Sequence, residues 1–91
     1  MPLRDAEEAA GDLERITNYL FEETPRHAPD LVHAIYEAPS ALLTFPYRGR
    51  PGKKEGTPEL VLSPLPYIVV YRIAADAIHI VRILHGAQKW P

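Results

Sequence analysis

The run YIVVYRIAADAIHIVRIL, Tyr67 to Leu84, decides the fold. Tyr67–Ala74 and Ala77–Leu84 are rich in β-branched and aromatic residues, and only Ala75-Asp76 separates them. Two such runs joined across two residues make an antiparallel hairpin. Side chains alternate along a strand. Ile78, Ile80, Arg82 and Leu84 are therefore expected on one face, and His79, Val81, Ile83 and His85 on the other. Both faces are apolar at their centres, as if one meets helices and the other meets something more. Arg72, Arg82, His79 and His85 interrupt them. Either long stems cover apolar surface while the charged heads stay wet, or these groups line a surface where another molecule presses.

Upstream, Glu59–Ser63 reads as a third, shorter strand, followed by a turn at Pro64-Leu65-Pro66. Before it lies FPYRGRPGKKEGTP, Phe45 to Pro58. Gly49, Gly52, Gly56 and three prolines exclude regular structure over most of that stretch. It carries Arg48, Arg50, Lys53 and Lys54, as solubilising surface or as a contact loop. Residues from about 3 to 23 read as a helix. Leu13, Ile16 and Leu20 recur at helical spacing, with Ala9 and Tyr19 close to the same side. Acids cluster in its first turns, next to the positive end of the helix dipole. A second helix begins with Thr24 as its cap or with Pro29 in its first turn. It carries Leu31, Val32, Ile35, Tyr36, Leu42 and Leu43, and Pro39 predicts a kink or break near Glu37–Ser40. The expected fold is α+β: an N-terminal helical hairpin packed on a C-terminal three-stranded antiparallel sheet, with residues 1–91 as one domain.

Composition narrows the function. Apolar residues make up 46% of the 91, as in soluble globular proteins. There is no cysteine, which fits a reducing compartment such as a cytoplasm. No apolar run is long enough to span a bilayer, and the acidic N-terminus does not read as a secretory signal. The net charge of −2 argues against a nucleic-acid binder. Its distribution is uneven. Residues 1–24 hold two cations and seven acids, a net of −5, while the remainder holds eight cations and five acids, a net of +3. That polarity is a solvated helix face, or one face for an anionic target and another for something else.

His27, His33, His79 and His85 show no metal-ligand spacing, and no nucleotide-binding glycine pattern or nucleophile elbow is present. No metal or cofactor is expected. One cofactor-free chemistry fits the residue types. Cleavage of RNA through its own 2′-hydroxyl needs a base, an acid and cations for the phosphorane, which His85, Glu59 and Arg82 would supply.

The run PYIVVYRI (Pro66–Ile73) and the run IHIVRILHGAQKWP (Ile78–Pro91) closely resemble the C-terminal hairpin of the RelE/ParE toxin superfamily. DLERITNYL (Asp12–Leu20), FPYRGRPG (Phe45–Gly52) and ELV (Glu59–Val61) match in order and spacing. Leu84–Gly86 followed by Trp90 resembles the ParE-like branch. The resemblance implies the toxin of a type II toxin–antitoxin module, of the kind called plasmid stabilisation proteins, neutralised by a cognate antitoxin. In the ParE branch the implied target is DNA gyrase. In the RelE branch the toxin cuts mRNA on the ribosome. The ribonuclease pattern has basic residues where this chain has Glu59, Val61, Ile68, Gly86 and Ala87, and only His85 falls near a family histidine. The ParE-like reading is therefore preferred, with Arg48, Arg50, Lys53, Lys54, Arg72, Arg82, His85 and Trp90 as contacts to target or antitoxin. A family relative that only binds or dimerises is the third reading. Family members usually begin with a strand, and Met1–Arg4 look too short for one. The first strand is thus expected to be missing, through loss or a misplaced start. The sheet edge so opened is expected to recruit an antitoxin strand or a second copy.

Overall fold

The computed structural model describes Met1–Pro91. Strand β1 (Leu3–Asp5) leads into helix α1 (Glu7–Glu23) and helix α2 (Ala28–Glu37). A 3₁₀ segment (Ala38–Leu43) and the irregular loop follow, then β2 (Glu59–Val61), β3 (Tyr67–Ile73) and β4 (Ile78–His85). The sheet has four strands in the order β1-β4-β3-β2. The β2–β3 and β3–β4 pairs are antiparallel, and β1 runs parallel to β4.

The expectation of a missing first strand is corrected. Leu3 lies opposite Ile78, the Ile78 N–H donates to the Pro2 carbonyl at 2.9 Å, and the Ala6 N–H donates to the Ile80 carbonyl at 2.9 Å. Three residues suffice because β4 is already held on its other side and Leu3 needs only to pack against the core. So short a strand shows no alternation in sequence. The edge expected to be open over Ile78–Ile80 is filled by the chain itself, and the sheet is mixed rather than purely antiparallel. Helix α1 accordingly begins at Glu7, after Ala6 in extended conformation.

The helical hairpin forms as its pattern dictates. Thr24 ends α1 instead of capping α2: its N–H donates to Leu20, and its carbonyl accepts from the His27 and Ala28 N–H groups. Pro29 sits in the first turn of α2, where a missing N–H does no harm. Pro39 stops the α-helix after Glu37, and the chain continues as 3₁₀ turns with Pro39 buried.

Ala9 and Leu20 of α1, Ala28 and Ile35 of α2, and Leu42 pack on Tyr67, Val69, Tyr71, Ile78, Ile80 and Ile83 of the sheet. Each fully buried Val or Ile there contributes about 1.5–3 kcal/mol relative to exposure. The expected faces hold at Ile78 and Ile80 and fail beyond. Val70 pairs with Arg82 and Tyr71 with Ile80, so Val81 is an extra residue, a β-bulge. The bulge resets the alternation, bringing Ile83 into the core beside Ile80, while Leu84 is buried outside that cluster. No helix is long and apolar enough to cross a membrane.

A carboxylate clip, an apolar groove and a polar cleft

The bulge leaves Arg82 and the Ile83 amide facing α1, and Asp12 meets both. Asp12 lies three residues after Ala9 and four before Ile16, on the buried side of α1. Its carboxylate accepts from Arg82 Nε at 2.7 Å, from Arg82 Nη2 at 3.0 Å and from the Ile83 N–H at 2.9 Å. Arg15, one turn on, pairs with the same carboxylate, and Glu8 lies 3.8 Å from Arg82. The Asp12 side chain is 4% exposed and Arg82 22%. Burial alone would raise the Asp12 pKa. The hydrogen bonds from Arg82 and Ile83, with the charges of Arg82 and Arg15, outweigh it and hold the carboxyl below its ordinary range. The same bonding raises Arg82 further, against the opposing effect of burial.

An apolar groove of about 470 Å³ runs between the hairpin and the start of β3. Ile16, Tyr19 and Leu20 come from α1, Leu31 from α2, and Leu65, Pro66 and Tyr67 from the turn into β3, with Arg15 and His85 completing the lining. Tyr67 is buried and its phenol pKa is raised by that burial, then by Tyr19. Its ring meets the His85 imidazole edge to face, with centroids 5.7 Å apart.

A smaller cleft of about 60 Å³ is lined by Arg50, Lys53, Glu59, Ile68, Leu84, Gly86, Gln88, Trp90 and, again, His85. His85 is thus the wall common to groove and cleft. Its Nδ1 accepts from the Ala87 N–H at 3.1 Å, and the His85 backbone N–H donates to Gln88 Oε1 at 2.7 Å. The tail therefore folds back against the imidazole. Glu59 is 9% exposed; it accepts from Arg50 Nε and Nη2 at 3.3 and 3.2 Å and from the Lys53 N–H at 3.4 Å.

Of the residues singled out in sequence, Arg50, Lys53, Glu59, His85 and Trp90 come together in the cleft. Arg48 lines a separate groove with Ala34, Ala38, Ala41 and Leu62, and Lys54 is exposed with its carbonyl bound by Thr57 Oγ1 at 2.5 Å. Arg72 is exposed on β3, two residues past Val70. Arg82 is in neither groove nor cleft: it is held by Asp12, so the triad His85, Arg82 and Glu59 does not assemble. The basic loop is pinned rather than loose. The Gly49 N–H donates to Tyr71 Oη at 2.9 Å, and that hydroxyl donates to the Pro46 carbonyl at 2.8 Å. Arg50 and Glu59 exchange both backbone hydrogen bonds at 2.8 Å.

Asp12 and Tyr71 escaped the sequence reading. Asp12 left one trace, a carboxylate at helical spacing within the apolar stripe of α1. Tyr71 left none, since its partners lie 22 and 25 residues away.

A helical hairpin thus packs over a mixed four-stranded sheet, and a groove and a cleft meet at a strand-end histidine. Residues 4–90 match the family model described as ParE toxin of type II toxin-antitoxin system, parDE. The chain belongs to the ParE toxin family, within the RelE/ParE superfamily. It is 40% identical over 79 residues to "Putative toxin Y4kP" of Sinorhizobium fredii, covering 87% of this chain and 81% of the relative. It is 35% identical to toxin RelE2 of Caulobacter vibrioides, covering 88% and 89%. Among solved structures, the chromosomal ParDE toxin–antitoxin system from P. aeruginosa matches with TM-score 0.85 and 28% identity over 93% of this chain and 95% of that one. The toxin–antitoxin complex RelBE2 of Mycobacterium tuberculosis matches with TM-score 0.64 and 26% identity, covering 92% and 95%.

Proposed function

We propose that this toxin blocks DNA gyrase by binding, without cutting RNA, and that a cognate antitoxin silences it by seating an apolar segment in the groove of Ile16, Leu20, Leu31 and Tyr67. The observation that carries the first half is the state of the groups a metal-free ribonuclease would use. Arg82 is committed to Asp12, and Glu59 to Arg50 and the Lys53 amide. Of the three, His85 alone is uncommitted; Lys53 in the same cleft would supply a cation, but one imidazole cannot serve as base and acid in the same step. The solved relatives described as toxin–antitoxin systems, together with the apolar lining of the groove, support the second half.

The test is expression of the chain with and without the antitoxin from its own operon. The expected result is growth arrest with DNA-damage signalling, intact transcripts and gyrase trapped on cleaved DNA in vitro, all relieved by the antitoxin. Ribosome-dependent transcript cleavage that disappears in His85→Ala would replace this reading with the ribonuclease one. Normal growth on full expression would leave a non-toxic binding protein.

A further inference from the structure

The lining of the apolar groove contains one guanidinium, that of Arg15, and no carboxylate. Arg15 is also the only cation of α1, whose other charged residues are Glu7, Glu8, Asp12, Glu14, Glu22 and Glu23. All of those acids except Asp12 are exposed. The wall that α1 gives to the groove is therefore negative along its length, with a single positive point.

Arg15 is held at that point by one contact. Its side chain makes a single hydrogen bond, from Nη2 to Asp12. Asp12 does not depend on it, because the same carboxylate accepts two bonds from Arg82 and one from the Ile83 N–H. Of the two guanidinium groups that share this carboxylate, Arg15 is the wet one, 69% exposed against 22% for Arg82. A guanidinium carries five N–H donors, so most of those on Arg15 are open to a partner. Drawing Arg15 away from Asp12 leaves the bonds of Arg82 and Ile83 in place.

We propose that Arg15 decides which segment the groove accepts and in which register: an apolar segment of the antitoxin bearing one acidic side chain that reaches Arg15. This deepens the proposed function and rests on the groove being the seat of the antitoxin. A segment lying over Ile16 and Leu20 strips water from the neighbouring Arg15, and a cation that loses water needs an acceptor in its place. A carboxylate is the acceptor whose two oxygens match the guanidinium fork. Displaced along α1, the same carboxylate would meet Glu14, Glu22 or Glu23 instead. A segment without the acid leaves the donors of Arg15 unmet, and a slipped segment sets like charges together. Both penalties act against the wrong partner or register, so Arg15 supplies specificity while the apolar lining supplies affinity.

The test is calorimetry of the purified toxin with the antitoxin from its own operon, each acidic residue of which is changed in turn to its amide. With the parent toxin, one such change is expected to weaken binding about tenfold or more, the scale of a lost hydrogen bond between charged groups. Arg15→Gln is expected to weaken binding by a similar factor, and in Arg15→Gln the same antitoxin change has no further effect. Arg26→Gln, in the exposed turn after α1, leaves affinity unchanged. Urea unfolding checks that each variant is folded. Tyr19→Ser reports on the groove itself. Weakened binding in Tyr19→Ser with parental affinity in Arg15→Gln, or with no antitoxin acid coupled to Arg15, overturns the proposal and leaves the groove as the antitoxin seat. Parental affinity in both toxin variants overturns the groove as well.

Discussion

Replacing Asp12 by alanine removes the acceptor that ties α1 to β4. The Ile83 N–H then has no partner in a region that is 5% exposed, which costs about 1–3 kcal/mol. Arg82 loses two charge-assisted bonds but keeps 22% exposure and Glu8 at 3.8 Å, so water recovers part of its solvation. The expected total is about 2–4 kcal/mol, at or below the range for breaking a fully buried pair. That is a large share of the roughly 5–15 kcal/mol that holds a small domain together. Urea unfolding measures it as a lower midpoint at unchanged slope. A double-mutant cycle with Arg82→Leu should give a coupling energy of about 1–3 kcal/mol. The pH dependence has a definite sign. Asp12 is depressed below its ordinary value of 3.8, so its contribution is complete above that pH and is lost as pH falls through the lower folded-state value. The gap between the parent and Asp12→Asn should therefore be constant near neutrality and narrow below 3.8. A loss in Asp12→Ala under about 1 kcal/mol, or additive single variants, would refute the clip as a stabilising contact.

Tyr71→Phe removes the hydroxyl that joins Gly49 to Pro46; about 1–2 kcal/mol should be lost, with faster hydrogen exchange at the Gly49 amide. A β-carbon on Gly52 would stand 2.0 Å from the Thr57 carbonyl oxygen, so Gly52→Ala should force the loop to rearrange, seen as amide shift changes from Arg50 to Thr57 with the helices unaffected. Tyr19→Ser changes a groove residue that is 58% exposed. Folding should hold, while calorimetry should find antitoxin affinity reduced tenfold or more, the equivalent of about 1.4 kcal/mol.

His85 stands where groove and cleft meet, braced by Tyr67 on one side and by the Ala87 amide on the other. Under the proposed function, an antitoxin segment in the groove would touch a residue that also walls the cleft. Occupying one concavity would then limit what the other can bind, with no large movement of the fold. Arg82 is bound to Asp12 at the helix–sheet junction, and that carboxylate neutralises its positive charge there.

The hairpin of β3 and β4, the helical pair and the break after Glu37 are legible in the sequence because each rests on a local signal: β-branched runs across a two-residue turn, apolar spacing near 3.6, and a proline that cannot continue a helix. The family resemblance is legible for the same reason, since it lies in short runs of fixed order. Other features depend on contacts between residues far apart in the chain. Strand β1 is three residues long and exists only because β4 offers it an edge. The bulge at Val81 changes which residues share a face, a shift that alternation cannot announce. Asp12 finds Arg82 across 70 residues, and Tyr71 reaches back to Pro46 across 25. Sequence determined which segments are apolar on one side and where the chain must turn. Only the packed structure decided which cations are neutralised internally and which stay free, because an ion pair depends on distance in space, and the pairing of strands sets that distance.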